Sequence, residues 1–292
     1  MKAISFMQAL EQKREEKKWV SVGLDTDYDE ISPEVVEFLR KHYNLAPYFA
    51  RGPVTFAFNR AIIEATCDIA ACYKINPEFY AASGLQGFWA LERTAEYLWS
   101  MHPNVPWIFD RKYGDVGHAN EASVRYCFGI LKAPAVTVNP LVGRDGGLDA
   151  FLWHKNKGVF VWCQSSNKGA LDFQDPERLS LRVVLKVHHD WNALGNCGLV
   201  VGAKNPARMG EIRKWAKGLP FLVPGVGEQG GDLKEAVKAS LYRNFDTGEI
   251  TLPALFNSSR GIIFASHGED FAEMARAKVI ELNSAIGKIL EE

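Results

Sequence analysis

The stretch DRKYGD contains three charged side chains at a spacing that suits chemistry at the end of a β-strand. Asp110 and Lys112 are two residues apart, so in an extended chain their side chains point to the same face. Asp115 lies beyond a glycine, where a turn can redirect its carboxylate toward the other two. Lys74 ends an earlier apolar run. These four residues predict ammonium and carboxylate groups that alternate around a small space, and a surface cluster of salt bridges is the alternative.

Two further stretches have the composition of a phosphate site, PGVGEQGGD at 224–232 and FNSSRG at 256–261. In α/β barrels a glycine-rich loop after the seventh strand commonly holds a phosphate through backbone N–H groups, and a guanidinium adds further donors. Gln229 and Arg260 are the side chains that we assign to this role, with the arginine leading into the eighth strand. The loop lacks the GK[ST] of a Walker A motif. A merely flexible loop is the alternative.

Eight short runs rich in Val, Ile and Phe must position these residues. The runs cover residues 19–25, 71–77, 106–112, 135–140, 158–166, 198–204, 220–227 and 261–266. Continuous apolar runs suit strands that are covered on both faces, and helical stretches between such strands predict a parallel sheet. Eight strands in 292 residues favour a closed (β/α)8 TIM barrel over an open sheet.

We expect a single barrel domain over residues 1–292, in which an N-terminal helix within residues 1–17 precedes the first strand and closes the bottom of the barrel. The active sites of such barrels lie at the C-terminal ends of the strands. Polar residues end most of the runs, namely Asp25, Lys74, Asp110 with Lys112, Asn139, Ser166 and Lys204. The chemistry is therefore expected at that end of the barrel.

The bulk composition argues against several classes of protein. The net charge is −1, so nothing favours nucleic acid or an anionic membrane surface as a partner. No window approaches the roughly 20 apolar residues of a membrane span. Five scattered cysteines without a CxxC pair argue against disulfides and zinc, and fit a reducing cytoplasm. His188, His189 and Asp190 are adjacent, but we do not expect them to hold a metal.

The sequence resembles orotidine 5′-phosphate decarboxylases over nearly its whole length, and in particular their longer bacterial branch (type 2). The matching stretches occur in order, as VGLD, YKINPEFY, DRKYGD, VTVNPLVGRD, SSNKGALDFQ, LVVGAKNP, FLVPGVGEQGGD and NSSRGI. The resemblance implies a carboxy-lyase without a cofactor. Its reaction would convert orotidine 5′-monophosphate (OMP) to uridine 5′-monophosphate (UMP), the last step of de novo pyrimidine nucleotide synthesis.

The resemblance also implies roles for individual residues. The catalytic network would consist of Lys74, Asp110, Lys112 and Asp115. The substrate-binding residues would be Asp25 at the ribose, Ser166 at the pyrimidine ring, and Gln229, Ser259 and Arg260 at the phosphate. In this family the last aspartate of the network reaches the site of the partner subunit. A homodimer is therefore implied, with Asp115 shared across the interface.

The chemistry of the implied reaction explains why a lysine is needed. Loss of CO₂ from C6 of the pyrimidine leaves a carbanion that no carbonyl or cofactor delocalises. An ammonium about 4 Å away stabilises this charge by roughly 4 kcal/mol at an effective dielectric constant of about 20. Lys112 is the residue that we assign to this role and to protonation of C6. Asp110 and Asp115 would hold Lys74 and Lys112 in place and in their charged state.

Two positions depart from the family pattern. Tyr113 stands where the longer branch usually has a second basic residue, and Ala119 stands where it usually has a threonine. Two other functions remain open at this point. One is a metal-dependent decarboxylase or epimerase of a sugar phosphate on the same barrel. The other is a non-catalytic barrel that binds a pyrimidine nucleotide, which would be expected to lack one of the four charged residues.

Overall fold

The computed structural model describes residues 4–46, 51–174, 178–226 and 232–292. Within these ranges the strands are β1 (Val20–Gly23), β2 (Cys72–Ile75), β3 (Trp107–Tyr113), β4 (Ala135–Val138), β5 (Gly158–Gln164), β6 (Cys197–Val201), β7 (Phe221–Pro224), β8 (Tyr242–Arg243), β9 (Ile250–Thr251) and β10 (Ala254–Ser258). Eight of them pair in parallel and close a barrel in the order β1-β10-β7-β6-β5-β4-β3-β2. Strands β8 and β9 form a separate antiparallel pair. The TIM barrel predicted from the sequence is confirmed.

Helices alternate with the barrel strands along the chain. They are α1 (Phe6–Glu15), α2 (Pro33–His42), α3 (Arg51–Thr66), α4 (Pro77–Ala81), α5 (Gly84–Met101), α6 (Gly117–Val124), α7 (Asp149–Leu152), α8 (Ala170–Phe173), α9 (Leu179–Lys186), α10 (Pro206–Ala216), α11 (Leu233–Ser240), α12 (Arg260–Ile263) and α13 (Phe271–Glu291). Shorter helical turns cover Tyr28–Glu30, Arg125–Ile130, Pro140–Val142, Arg144–Leu148 and Val187–Trp191. None of the described helices combines the length and the apolar character that crossing a membrane requires.

The interior of the barrel is filled by side chains from alternate positions of its strands. Ile108, Phe160, Val200 and Leu222 belong to this inner cluster, and Phe6 of α1 joins it from below. The ring of Phe6 meets that of Phe160 edge to face, with 5.9 Å between the ring centroids. Apolar side chains on both faces of the strands explain why the runs in the sequence are continuous. Helix α1 therefore precedes β1 and packs against the inner cluster through Phe6.

The prediction of the eighth strand at 261–266 is wrong. The strand is β10, and the predicted run instead begins with the helical turn α12. Ile262 and Ile263 are fully buried in that turn, and a short apolar run alone does not distinguish a strand from a buried helical segment. Arg260 consequently follows the eighth strand and does not lead into it. This correction places Arg260 at the C-terminal mouth of the barrel.

Candidate active site

The polar ends of the strands meet around a cavity of about 260 Å³ at the C-terminal mouth of the barrel. The polar side chains on its walls include Asp25, Lys74, Asp110, Lys112, Gln164, Ser166, Asn257 and Ser259. An adjoining cavity of about 200 Å³ shares Asp25, Asn257 and Ser259 with it and extends to Arg260. The two cavities form one cleft that runs from the end of β3 to the end of β10. A cavity of about 400 Å³ below the barrel, beside α1, has no buried charged side chain on its walls.

Four charged side chains form a continuous chain of ion pairs on the floor of this cleft. Lys74 Nζ lies 2.8 Å from Asp25 Oδ1 and 3.3 Å from Asp110 Oδ2. Lys112 Nζ lies 2.8 Å from Asp110 Oδ1. Asp25, Lys74 and Asp110 are buried, whereas the side chain of Lys112 keeps 33% of its surface exposed. The charges therefore alternate from Asp25 to Lys112, and the last ammonium group faces the open cavity.

The charges of the two central groups support each other. Burial lowers the pKa of the Lys74 ammonium, but the carboxylates of Asp25 and Asp110 outweigh it, so the pKa is raised above its ordinary value. Burial raises the pKa of the Asp110 carboxyl, but Lys74, Lys112 and the hydrogen bond from Thr137 lower it to about 2. Both groups are therefore charged at neutral pH. The site presents fixed charges in a desolvated environment, where electrostatic interactions are strong.

A local irregularity of β3 orients Lys112. The register between β3 and β4 shifts between Phe109 and Tyr113, and Lys112 has a φ of 55°, in the left-handed region that residues with a Cβ rarely adopt. The hydroxyl of Thr137 on β4 accepts a hydrogen bond from the backbone N–H of Lys112 at 2.8 Å and donates one to Asp110 Oδ1 at 2.8 Å. Thr137 thus fixes both the unusual backbone and the carboxylate that pairs with the lysine.

The other end of the cleft is lined by polar side chains from the end of β10 and the residues that follow it. Ser259 donates its hydroxyl hydrogen to Asp25 Oδ2 at 2.7 Å and accepts one from the side-chain amide of Asn257 at 3.2 Å. Gly23 allows this approach, because a Cβ there would lie 1.9 Å from Ser259 Oγ. The exposed side chain of Arg260 lines the cavity next to these residues. The predicted phosphate ligand Gln229 lies outside the described residues.

A sequence model of one family, described as the orotidine 5′-phosphate decarboxylase / HUMPS family, matches residues 55–275. The chain belongs to this family. It is 41% identical to the orotidine 5′-phosphate decarboxylase of Azoarcus sp. (strain BH72), in an alignment that covers 81% of this chain and 86% of that protein. These findings confirm the resemblance that the sequence motifs indicated.

Two solved structures from Leishmania donovani have the same fold. OMP decarboxylase superposes with a TM-score of 0.73 at 29% identity, and the match covers 96% of this chain and 99% of that one. UMP synthase superposes with a TM-score of 0.77 at 31% identity. The latter match covers 98% of this chain but only 56% of UMP synthase, so this chain spans about half of that longer protein.

The charged residues of DRKYGD do not all meet within one chain. Asp110 and Lys112 form an ion pair, and Asp115 does not join it. Asp115 is exposed and forms no ion pair within the described part of the chain. Its backbone N–H donates to Asn120 Oδ1 at 3.2 Å, and its Oδ1 accepts from the N–H of Val116 at 2.7 Å. Gly117, with a φ of 45°, begins α6 just beyond this turn. The carboxylate is thus held on the surface, and it does not turn back to Lys112 of its own chain.

The two departures from the family pattern lie away from the ion pairs. The ring of Tyr113 stacks on that of Phe151, with 5.3 Å between the centroids, on the outer side of the barrel. Ala119 is exposed on α6, close in sequence to Asp115. Tyr113 therefore has a packing role, and Ala119 belongs to the same surface as Asp115.

Reasoning from the sequence missed two polar residues that organise the site, Thr137 and Asn257. Both are buried: Thr137 bonds Lys112 and Asp110, and Asn257 bonds Ser259 and the hydroxyl of Ser21. The sequence feature that could have identified them is a polar residue at an inward position near the end of a strand. Thr137 has this position in AVTVNP, and Asn257 has it in ALFNS. Within the described residues, no group of three or more His, Cys, Asp or Glu side chains is arranged to hold a metal ion.

Proposed function

We propose that this protein decarboxylates OMP to UMP as a carboxy-lyase. The observation that carries the proposal is the alternating series Asp25, Lys74, Asp110 and Lys112, which ends in an ammonium group facing the cavity. Membership of the decarboxylase family supports the same reaction. A cleft with Ser259 and Arg260 at its far end suits a nucleotide whose phosphate lies at β10 and whose base lies at β3.

The catalytic step follows from the position of Lys112. The bond between C6 and the carboxylate carbon breaks, CO₂ leaves, and the electron pair stays on C6. The ammonium of Lys112 stabilises this charge and then transfers a proton from Nζ to C6, which gives UMP. Asp110 orients the ammonium, and Lys74 is fixed between Asp110 and Asp25. The main contribution is electrostatic, because the charges are in place before the reaction begins.

The remaining contacts of the substrate are assigned from their places in the cleft. Asp25 would bind the ribose, because it lies where the two cavities join. Ser166 lines the larger cavity beyond the end of β5 and would contact the pyrimidine. Arg260, Ser259 and Gln229 would bind the phosphate. Binding energy from the phosphate can contribute to lowering the barrier at C6, although the two groups are at opposite ends of the cleft.

We also propose that the protein acts as a homodimer in which Asp115 completes the partner's site. Two observations support this arrangement. Asp115 is exposed and forms no ion pair with Lys112 of its own chain, and exposed apolar side chains lie on the same part of the barrel mouth. Val116 is 60% exposed, and Leu141 on the adjoining loop is 71% exposed. Exposed apolar side chains often mark a surface that another subunit covers. A subunit that covered Val116 and Leu141 would also meet the carboxylate of Asp115.

We also propose a domain organisation and a cellular location for the protein. We propose one barrel domain over residues 1–292, because α1 and α13, near the two ends of the chain, both pack on the barrel. We propose a cytoplasmic enzyme, because the five cysteines are free thiols and four of them are buried.

The direct test is an assay with purified protein, OMP and an excess of a chelator. We expect conversion to UMP, followed by ultraviolet absorbance, at the same rate with and without the chelator, because the proposed mechanism uses no metal. Loss of activity on chelation, with recovery on adding a divalent cation, would favour the metal-dependent alternative. Binding of UMP by folded protein without any turnover of OMP would favour the non-catalytic barrel.

Thr137 provides a second test of the proposed electrostatics. We expect Thr137→Val to lower kcat about 10- to 100-fold with little change in KM, since hydrogen bonds to charged groups contribute about 1.5–3 kcal/mol. Valine has nearly the same shape, so the barrel should fold. The matched control is Thr137→Ser, which keeps the hydroxyl and should retain most of the activity. Equal kcat values for the two variants would show that the hydroxyl is not needed.

A further inference from the structure

Four buried polar side chains beside Asp25 form a hydrogen-bonded network. They are Thr26 shortly after β1, Asn59 on α3, Tyr80 on α4 and Thr94 on α5, and each is at most 1% exposed. Asn59 lies at the centre of the network. Its Oδ1 accepts a hydrogen bond from Thr26 Oγ1 at 2.6 Å, and its Nδ2 donates to Tyr80 Oη at 2.8 Å and to Thr94 Oγ1 at 3.0 Å. None of these four side chains lines the cleft.

The direction of each hydrogen bond in this network is fixed. Tyr80 Oη donates its hydrogen to the backbone oxygen of Leu24 at 2.8 Å, and Thr94 Oγ1 donates its hydrogen to the backbone of its own helix. Both hydroxyl oxygens therefore accept from Asn59, so the amide nitrogen faces them and the amide oxygen faces Thr26. Both hydrogens and the oxygen of this amide are used. A buried network that is satisfied in this way is rigid.

The network holds the chain on both sides of Asp25. Leu24 is tied through its backbone oxygen, and Thr26 is tied through its hydroxyl. Residues 24–26 follow the end of β1 and belong to neither a helix nor a strand, so side-chain contacts contribute to fixing their place. The carboxylate of Asp25 in turn lies 2.8 Å from Lys74 Nζ. The position of Asn59 is thus transmitted to the first ion pair of the charged series.

We propose that Asn59 is a positioning residue, which acts on the nucleotide through Asp25. The inference rests on the proposed function, in which Asp25 binds the ribose and Lys74 is fixed beside it. Asn59 does not line the cleft, so it does not contact a bound nucleotide itself. A carboxylate that contacts both an ammonium group and a ligand must be well placed, since a displacement of about 1 Å can lower activity about 10²-fold.

The test compares binding of UMP with binding of its 2′,3′-dideoxy analogue, which lacks the ribose hydroxyls that Asp25 would bind. In Asn59→Leu an apolar side chain of similar size replaces the amide. We expect this variant to bind UMP about tenfold more weakly, or about 1.4 kcal/mol, and to bind the analogue with less than about a twofold change. The kcat/KM for OMP should fall at least as much as the affinity for UMP, because Asp25 also holds Lys74.

Two further variants show whether the effect passes through Asp25. Asp25→Ala removes the positioned carboxylate itself and should show the same selective loss for UMP. Asn196→Leu is the matched control, because Asn196 is 1% exposed and its amide donates to the backbone oxygens of Leu152 and Lys157 at 3.0 and 3.2 Å. It precedes β6, at the opposite end of the barrel from the cleft. Asn196→Leu should lose stability, yet bind both nucleotides and convert OMP as the wild type does.

Each outcome decides the inference. Unchanged binding of UMP by Asn59→Leu would overturn it, and so would an equal loss for UMP and the analogue, because that pattern indicates a structural role. If Asn59→Leu does not fold, Thr26→Val and Thr26→Ser take its place. Only the valine variant lacks the hydroxyl, so it alone should lose preference for UMP, and equal binding by the two variants would overturn the inference.

Failure of the proposed function gives a different result. Wild-type protein that does not convert OMP would contradict the proposed reaction, whatever the variants bind. Equal affinity of the wild type for UMP and the analogue would contradict the assignment of Asp25 to the ribose, and the inference about Asn59 would fall with it.

Discussion

Lys112→Ala is expected to slow the decarboxylation of OMP at least about 10³-fold while leaving the protein folded. The ammonium that opposes the charge at C6 is worth roughly 4 kcal/mol at about 4 Å and an effective dielectric constant of about 20. A change of that size corresponds to about a 10³-fold change in rate, and loss of the proton donor adds to it. The measurement is kcat in steady-state or single-turnover assays, with binding of UMP determined separately.

The neighbouring residue offers a matched control for this experiment. Arg111 is also a cation on β3, but its side chain is exposed and lies 3.4 Å from Glu78 Oε1 on the outside of the barrel. Arg111→Ala removes the same formal charge one residue away, so it should retain nearly wild-type kcat. Folding of Lys112→Ala is expected because Asp110 keeps its ion pair with Lys74. Wild-type turnover by Lys112→Ala would remove Lys112 from the mechanism, even if the protein decarboxylates OMP.

The sequence allowed the barrel and the charged end of β3 to be predicted, because both depend on local patterns. Continuous apolar runs indicated strands covered on both faces, and the spacing of Asp110 and Lys112 placed them on one face. The same reasoning failed at the eighth strand. The run GIIFAS is as apolar as a strand, but its buried isoleucines belong to a helical turn, and the shorter run ALFNS forms β10.

Other features of the site depend on contacts between distant residues and leave little trace in the sequence. Spacing along the chain does not show that Asp25 pairs with Lys74, since the two residues are 49 positions apart and meet only after barrel closure. The left-handed backbone of Lys112 is likewise not apparent from its residue type. It depends on the hydroxyl of Thr137, which comes from the neighbouring strand. These are tertiary effects, and local propensity does not contain them.

The second large effect that we expect is recovery of activity when two inactive variants are mixed. This expectation follows from the exposed position of Asp115. If Asp115 completes the partner's site, Lys112→Ala and Asp115→Ala should each be nearly inactive as homodimers. In a mixed dimer, one site receives both altered residues, and the other receives the native Lys112 of one chain and the native Asp115 of the other. A two-fold dimer thus regains one intact site.

The expected recovery has a defined ceiling. Random exchange of subunits makes about half of the dimers mixed, each with one intact site of two, so about a quarter of the wild-type activity should return. The measurement is the rate of OMP turnover after the two proteins are unfolded together and refolded, against each variant treated alone. A mixture of Lys112→Ala with the double variant Lys112→Ala/Asp115→Ala contains no native Lys112, so under the same conditions it shows the activity expected without complementation. No recovery by refolded, dimeric protein would show that Asp115 does not act across the interface, whereas recovery near a quarter requires that the charged network of β3 is shared between two subunits.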